Sequence, residues 1–468
     1  MFIQQLYTGC LSEAAYYIES EGEAAIIDPL RDIEEYLIMA RKRKASIKYI
    51  FETHFHADFV SGHLDLAQAS GAPIVYGPET ETSFPIYLAK DGEIFKLGNL
   101  TIEVLHTPGH TIESSCYLLR EPNGNPHAIF TGDTLFVGDV GRPDLSSGNL
   151  SREALASMLY DSLRKKIAPL PDNTIVYPAH GAGSSCGKNL GPDTYSTLGE
   201  EKKTNYALRA ATKEEFVKEV TDGLKTPPQY FAVNARINKE GYESLDEVME
   251  NGLKALDLET FKERIRDVNT ICLDTRISSE FTAGFIPGFI SIGLDGRFAE
   301  WAGSLLPFDK PLVLITDPGK EKESVVRLAR VGFAQMCGYL DGGYETWKNA
   351  GERIDLIVNI DTDEFAMDLS FDPKLKVVDV RRETEFADGH VPAARNIPLE
   401  TLTDPGTMAE FDDTDNIYIH CTSGYRSVIA ASLFKRQGIH NLHNISGGWD
   451  EIRKLDGLDI VKENSVLN

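Results

Sequence analysis

Thr53-His54-Phe55-His56-Ala57-Asp58-Phe59 follows an apolar run, Ile47 to Phe51, that reads as a strand. Two imidazoles and a carboxylate thus stand just beyond a strand end, where an α/β fold exposes groups for chemistry. Phe59 then puts a carbon ring where a metal would need nitrogen. Three further motifs come in order, each on or just beyond an expected strand: His106-Thr107-Pro108-Gly109-His110, Phe130-Thr131-Gly132-Asp133-Thr134 and Tyr177-Pro178-Ala179-His180. One such histidine alone would read as a core or surface residue. Four ordered motifs predict loops that converge on one metal-binding point.

The 468 residues suffice for about two to four domains, and a hydrophobic content of 42% is ordinary for globular protein. A formal charge of −25 opposes the phosphate-neutralising surface that nucleic-acid binding requires. Met1 to Ile18 lacks a basic segment followed by an apolar stretch, and the chain has no long apolar run, so neither secretion nor membrane insertion is expected. The expected address is the cytoplasm. Six cysteines, Cys10, Cys116, Cys186, Cys272, Cys337 and Cys421, lie far apart without a Cys-x-x-Cys pair, which suits reduced thiols.

Residues 1–204 alternate short apolar strands with amphipathic stretches, which predicts an α/β sandwich with a site along one edge. Residues 205–267 read mostly as helices, broken at Thr226-Pro227-Pro228, and form an extension and connector. Beyond Asp267 the sequence repeats with a period of about 105 residues. Asp274-Thr275-Arg276 aligns with Asp379-Val380-Arg381, and Glu280-Phe281, Gly284, Pro287 and Gly342-Gly343 align with Glu385-Phe386, Gly389, Pro392 and Gly447-Gly448. Two tandem α/β domains, 268–355 and 360–468, are expected, each a doubly wound parallel sheet.

His-x-His-x-Asp after an apolar strand resembles the metallo-β-lactamase superfamily, whose αββα sandwich is the fold implied for residues 1–204. Dinuclear hydrolases of that superfamily carry histidine directly after the aspartate; Phe59 stands there, which favours one metal over two. Within the superfamily the chain is most similar to the persulfide dioxygenases, relatives of glyoxalase II with a single iron. That resemblance implies one Fe(II) per chain, held by His54, His110 and Asp133, with His56, Asp58 and His180 orienting ligands and water. Two imidazoles and a carboxylate make the facial triad of non-haem Fe(II) oxygenases, which leaves positions open for substrate and dioxygen. Zinc in the same place could polarise a bond or activate water but could not pass an electron to oxygen.

Arg142, in Gly141-Arg142-Pro143-Asp144, matches the position of the family's substrate-binding arginine and is expected to pair with a carboxylate of the thiol carrier. The glycine-rich loop after His180 carries Cys186, expected at the mouth of the metal pocket and able to accept sulfane sulfur as a persulfide.

Ile417 to His420 leads into Cys421-Thr422-Ser423-Gly424-Tyr425-Arg426-Ser427 and then a helical run. A cysteine between strand end and helix start faces unpaired amides and the positive end of the helix dipole, which favour its thiolate. Cys-x-x-Gly-x-Arg in this setting resembles rhodanese. Four residues separate cysteine from arginine, one fewer than in related phosphatases, which favours sulfur over phosphate. The resemblance implies that Cys421 carries a persulfide, that Thr422, Ser423, Gly424 and Tyr425 surround it, and that Arg426 stabilises it or attracts sulfite or thiosulfate. The first copy has Thr316-Asp317-Pro318-Gly319-Lys320 in the matching place, so 268–355 reads as an inactive rhodanese-like domain.

Together these features resemble a persulfide dioxygenase-rhodanese fusion that oxidises a thiol persulfide with dioxygen to sulfite and thiol, then makes or uses thiosulfate at Cys421 in sulfide detoxification. Two alternatives stay open: a glyoxalase II-like thioester hydrolase fused to a sulfurtransferase, and a non-catalytic sulfane-sulfur carrier. The identity of the thiol and assembly into a homo-oligomer are left open by the sequence.

Overall fold

In the computed structural model, alternate residues of the strand Glu13–Ser20 enter two different cores. Ala14, Tyr16 and Ile18 pack with Phe95, Ile102, Tyr117 and Phe130, whereas Ala15 and Tyr17 pack with Tyr36, Ala40 and Leu66. The two-residue period of a strand makes this possible, since successive side chains leave on opposite faces. The structure describes residues 1–145, 150–188, 190–224, 226–372, 375–392, 394–412 and 414–463. It divides into two units, Met1–Glu247 with Leu328–Ala334, and Val248–Arg327 with Gln335–Asn468.

Two six-stranded sheets form the first unit. One runs in chain order through Phe2–Thr8, Glu13–Ser20, Glu23–Ile27, Ser46–Glu52, Ile74–Tyr76 and Tyr87–Leu88. The other runs Ser196–Thr197, Ile175–Pro178, Pro126–Gly132, Ser115–Arg120, Leu100–His106, Ile94–Leu97. Their inner faces share the core that contains Tyr16, Phe51, Tyr117 and Phe130, each of which stabilises the sandwich by about 1.5–3 kcal/mol. Helices Glu34–Arg43 and His63–Ser70 cover the outer face of the first sheet. Arg152–Ser162 and Lys213–Thr221 cover that of the second. The result is an αββα sandwich, and the strands Ser46–Glu52, Leu100–His106, Pro126–Gly132 and Ile175–Pro178 each lead directly into one of the histidine or aspartate motifs.

The second unit holds two five-stranded parallel sheets with equivalent strand order. The first runs Ala255–Leu256, Met336–Leu340, Leu312–Ile315, Ile271–Asp274, Ile290–Ser291; the second runs Val358–Ile360, Leu442–Ile445, Asn416–His420, Leu375–Asp379, Ala394–Asn396. The repeated landmarks do the same work in both. Arg276 donates to Asp274 and to the carbonyl of Gly284 and lies over the Tyr344 ring; Arg381 donates to Asp379 and to the carbonyl of Gly389 and lies over the Trp449 ring. Because Ala255–Leu256 pairs with Met336–Leu340, the first of these domains begins before residue 268, where the sequence reading starts it. A two-residue edge strand carries too little apolar pattern to be read. Among the described residues, no helix is long and apolar enough to cross a membrane.

Candidate functional site

His54, His110 and Asp133 arrive from three different strand ends and bring their ligand atoms within 4.8 Å of one another, all buried. Nε2 of His110 lies 3.4 Å and Nε2 of His54 lies 3.8 Å from Oδ2 of Asp133. The other ring nitrogens settle which atoms face inward. Nδ1 of His110 is 2.8 Å from the carbonyl oxygen of Arg142, and a carbonyl only accepts, so Nδ1 bears the proton and Nε2 keeps its lone pair. For His54 the same outcome takes two steps: the Thr53 hydroxyl spends its hydrogen on Asp28, 2.9 Å away, and so accepts from Nδ1 of His54, also at 2.9 Å. Burial, with the neighbouring imidazoles of His56, His110 and His180, holds the His54 pKa well below its ordinary value, leaving a neutral ring.

Among the described residues, neither buried carboxylate oxygen of Asp133 has a hydrogen-bond partner. A carboxylate so placed is costly unless a cation meets it, and the two inward lone pairs beside it complete a donor set that fits a metal ion. Gly141 permits the approach: its amide donates to the Asp133 carbonyl at 2.9 Å, and a Cβ there would fall 2.1 Å from that oxygen and 2.9 Å from Nδ1 of His110.

Around this group stand the residues expected to orient it. His180 donates through Nδ1 to the Ser12 carbonyl at 3.1 Å, while its Nε2 lies 3.4 Å from Asp58 and 3.5 Å from Asp133. Burial lowers the His180 pKa, but Asp58 and Asp133 outweigh it and raise the value overall. His56 turns Nε2 toward Asp28, at 3.1 Å, and Glu52, at 3.7 Å. The ring of Phe59 is fully buried, 4.3 Å from that of His56, so a carbon surface lies against the second imidazole.

Two further expected residues lie beside this group. The Arg142 guanidinium is engaged by Asp144, at 2.7 Å from Nε and 2.8 Å from Nη2, and the Arg142 backbone carbonyl accepts from His110. Cys186 lies next to the same group. It is buried, grouped with Asp133 and His180, and burial together with Asp58 and Asp133 pushes its thiol well above the ordinary cysteine range. A protonated, enclosed thiol is a poor nucleophile. The structure also adds Asn238, from the helix Tyr230–Glu240 in the connector. Its Nδ2 donates to the carbonyls of His56 and Phe59, both at 2.8 Å, and its Oδ1 accepts from the Ser61 amide at 2.9 Å. No local motif marks a residue so remote in sequence from His56.

In the second unit, Cys421 follows the strand Asn416–His420 and precedes the helix Tyr425–Arg436. The Gly424 amide donates to its sulfur at 3.1 Å. The loop is pinned from behind, where the Trp449 amide donates to the Cys421 carbonyl at 2.7 Å and that of Asp450 to the Thr422 carbonyl at 3.0 Å. Gly448, at φ +56°, is required here, since its Cβ would lie 2.4 Å from the Cys421 carbonyl oxygen. Arg426, expected to serve the sulfur, donates instead to both oxygens of Glu385, at 2.7 and 2.8 Å, and to the Thr422 hydroxyl at 2.7 Å. Its fork is engaged in holding the loop. Tyr425 donates its hydroxyl to the Gly293 carbonyl at 2.7 Å, and Ser423 and Gly424 line the cavity above Cys421.

A family model for the metallo-beta-lactamase superfamily matches residues 8–180, and one for the rhodanese-like domain matches residues 257–350 and 362–455. The chain belongs to the metallo-beta-lactamase superfamily and carries two rhodanese-like domains. A probable hydroxyacylglutathione hydrolase of Schizosaccharomyces pombe is 30% identical over 234 residues, which span 45% of this chain and 87% of that protein. A hydroxyacylglutathione hydrolase of Haemophilus influenzae is 30% identical over 214 residues, spanning 41% of this chain and 90% of the relative. The crystal structure of a metallo-beta-lactamase from Staphylococcus aureus subsp. aureus COL aligns with a TM-score of 0.65 at 33% identity, covering 73% of this chain and 98% of that one. The superfamily fold implies a metal; among the described residues His54, His110 and Asp133 are one of four buried groups whose ligand atoms lie close enough to hold an ion, and His56, Asp58 and His180 are another.

Proposed function

We propose that the first unit is a mononuclear Fe(II) dioxygenase that oxidises a low-molecular-weight thiol persulfide to sulfite and thiol, and that Cys421 transfers sulfane sulfur to or from sulfite. The observation that carries this reading is the pairing of a two-histidine, one-carboxylate group with the buried ring of Phe59, which withholds a further donor. His54, His110 and Asp133 would hold the ion; ferrous iron there supplies the one-electron reactivity toward dioxygen that zinc lacks. The chain does the rest by positioning. Thr53 and the Arg142 carbonyl keep both inward nitrogens unprotonated, and the paired Asp58 and His180 keep a polar edge beside Asp133. Phe59 and Phe136 cover His56 and His180 with apolar rings.

At the second centre the Cys421 thiolate attacks the outer sulfur of a persulfide, breaking its S–S bond and releasing the carrier thiolate. The new persulfide on Cys421 is then attacked by the sulfur lone pair of sulfite, which forms thiosulfate and returns the thiolate. The Gly424 amide steadies the sulfur in its anionic form. Both reactions use one sulfur pool, and the single chain keeps their local concentrations high. Cytoplasmic sulfide detoxification is the physiology this reading implies.

The names of the curated relatives favour a second reading, hydrolysis of a glutathione thioester. Anaerobic iron loading followed by oxygen-uptake measurement with a thiol persulfide separates the two. The native protein is expected to consume oxygen and yield thiosulfate, and Cys421→Ser to consume oxygen but accumulate sulfite. Thioester cleavage with no oxygen uptake would establish the hydrolase; persulfide on Cys421 with neither activity would leave a sulfur carrier.

A further inference from the structure

The cavity above Cys421 has a volume of about 820 Å³. Pockets of about 300–1,000 Å³ hold organic ligands, and a sulfur oxyanion would fill only a small part of this one. Nine of its twenty-two lining residues come from the other domain. Ile277, Ser278, Ser279, Arg297, Glu300 and Trp301 of the cysteine-less rhodanese-like domain line it opposite the Cys421 loop.

That wall is fastened to the loop. The Tyr425 hydroxyl donates to the Gly293 carbonyl at 2.7 Å, and the Tyr425 ring covers Gly296 so closely that a Cβ there would lie 2.4 Å from it. Glu300 sits between Arg297, at 2.5 Å, and Arg382 from the Cys421 domain, at 3.5 Å. Lys435 reaches Asp355 at 3.0 Å, and Ser432 accepts from the Ser291 amide at 3.0 Å. A wall held at so many points presents a fixed shape.

Its chemistry does not suit a bare dianion. Each of the three arginines on the cavity is paired, Arg297 and Arg382 sharing Glu300 and Arg426 held by Glu385, and Asp295 adds a third carboxylate to the lining, so the formal charges cancel. The same wall carries the hydroxyl groups of Ser278 and Ser279, the exposed side chain of Ile277 and the largely buried Trp301. Small hydroxyls beside apolar surface match an organic body with amide and methylene groups.

We propose that the cysteine-less domain is the specificity wall of the Cys421 site, with Ile277, Ser278, Ser279 and Trp301 receiving the organic part of a low-molecular-weight thiol persulfide. The inference rests on sulfur transfer at Cys421 as proposed above and assigns its donor class. Ser279→Trp, which fills the wall side of the cavity, tests it, with Ser278→Leu as the second variant should the first not fold. Donors are glutathione persulfide and thiosulfate, with sulfur transfer to cyanide as the readout and mass spectrometry of Cys421 persulfide as the control.

The expected result is at least a tenfold fall in kcat/KM for glutathione persulfide, with a fall of less than threefold for thiosulfate. Equal losses for both donors, or no loss for the organic one, in a folded variant would overturn the proposal. If the native protein places no sulfur on Cys421 from either donor, the transfer reading itself fails and takes the proposal with it. A native protein that transfers sulfur with an unaltered donor ratio in both variants refutes the specificity wall alone.

Discussion

Asn238 donates its side-chain amide to the carbonyl oxygen of Phe59 at 2.8 Å, tying the connector to the metal loop. The same amide holds the His56 carbonyl, and its oxygen accepts from Ser61, so one buried side chain satisfies three backbone groups. Asn238→Ala leaves these groups buried without partners, at a cost of about 2–3 kcal/mol. It is also expected to weaken metal binding by about 10–100-fold by loosening the loop that carries His54. Urea denaturation and competition with a chelator check the two effects; a variant that binds metal like the native chain would remove Asn238 from the centre.

Gly141 is the second position at which a small change should reach the metal. An alanine methyl would overlap the Asp133 carbonyl and crowd His110, so the backbone must move, at about 1–3 kcal/mol. Metal analysis of Gly141→Ala should show loss of tight binding, whereas Gly71→Ala, with open space at its Cβ, pays only the strain of its positive φ. Equal metal content in both variants would count against the crowding argument.

Cys186 is enclosed, and burial raises its thiol well above the ordinary range. Iodoacetamide at neutral pH should therefore leave Cys186 unlabelled in the native chain and label it after unfolding, and Cys186→Ser should keep oxygen uptake close to native. Peptide mapping settles this. A persulfide trapped on Cys186 during turnover would show that the pocket opens to it.

Glu385 links pH to the stability of the second unit. Burial pushes its pKa upward, but hydrogen bonds and charge from Arg426, with the Arg382 amide and the Thr422 hydroxyl, hold it at about 2. An unfolded glutamate titrates near 4.3, so between these values the unfolded chain binds more protons. The stabilisation is complete above about pH 4.3 and is lost as pH falls through about 2. With 34% of the Glu385 side chain exposed, solvent screening reduces it to about 1 kcal/mol. Denaturation midpoints measured across this window should fall less steeply in Glu385→Gln than in the native protein; parallel curves would contradict the assignment.

Much of the architecture is legible in the chain alone, because each element of it is written locally. Short apolar runs mark the strands of the sandwich, the repeated Asp-x-Arg, Gly and Gly-Gly landmarks announce two copies of one domain, and His54, His110, Asp133 and Cys421 each sit in a short motif at a strand end. Residue type in such a motif determines what chemistry is on offer, so the candidate donors, the missing nitrogen at Phe59 and the candidate sulfur nucleophile are visible without coordinates.

Tertiary structure alone decides where those groups point and what already occupies them. Arg142 and Arg426 read as anion-binding residues, yet Asp144 and Glu385 hold their guanidinium groups. Cys186 reads as a reactive thiol and is enclosed among carboxylates. Asn238, Gly141 and the wall built by Ile277, Ser278, Ser279 and Trp301 act on sites far from them in sequence. The physical reason is common to all: hydrogen bonds, ion pairs and van der Waals overlap depend on distance and direction over a few ångströms, and residues remote in sequence acquire both only when the sheets have packed.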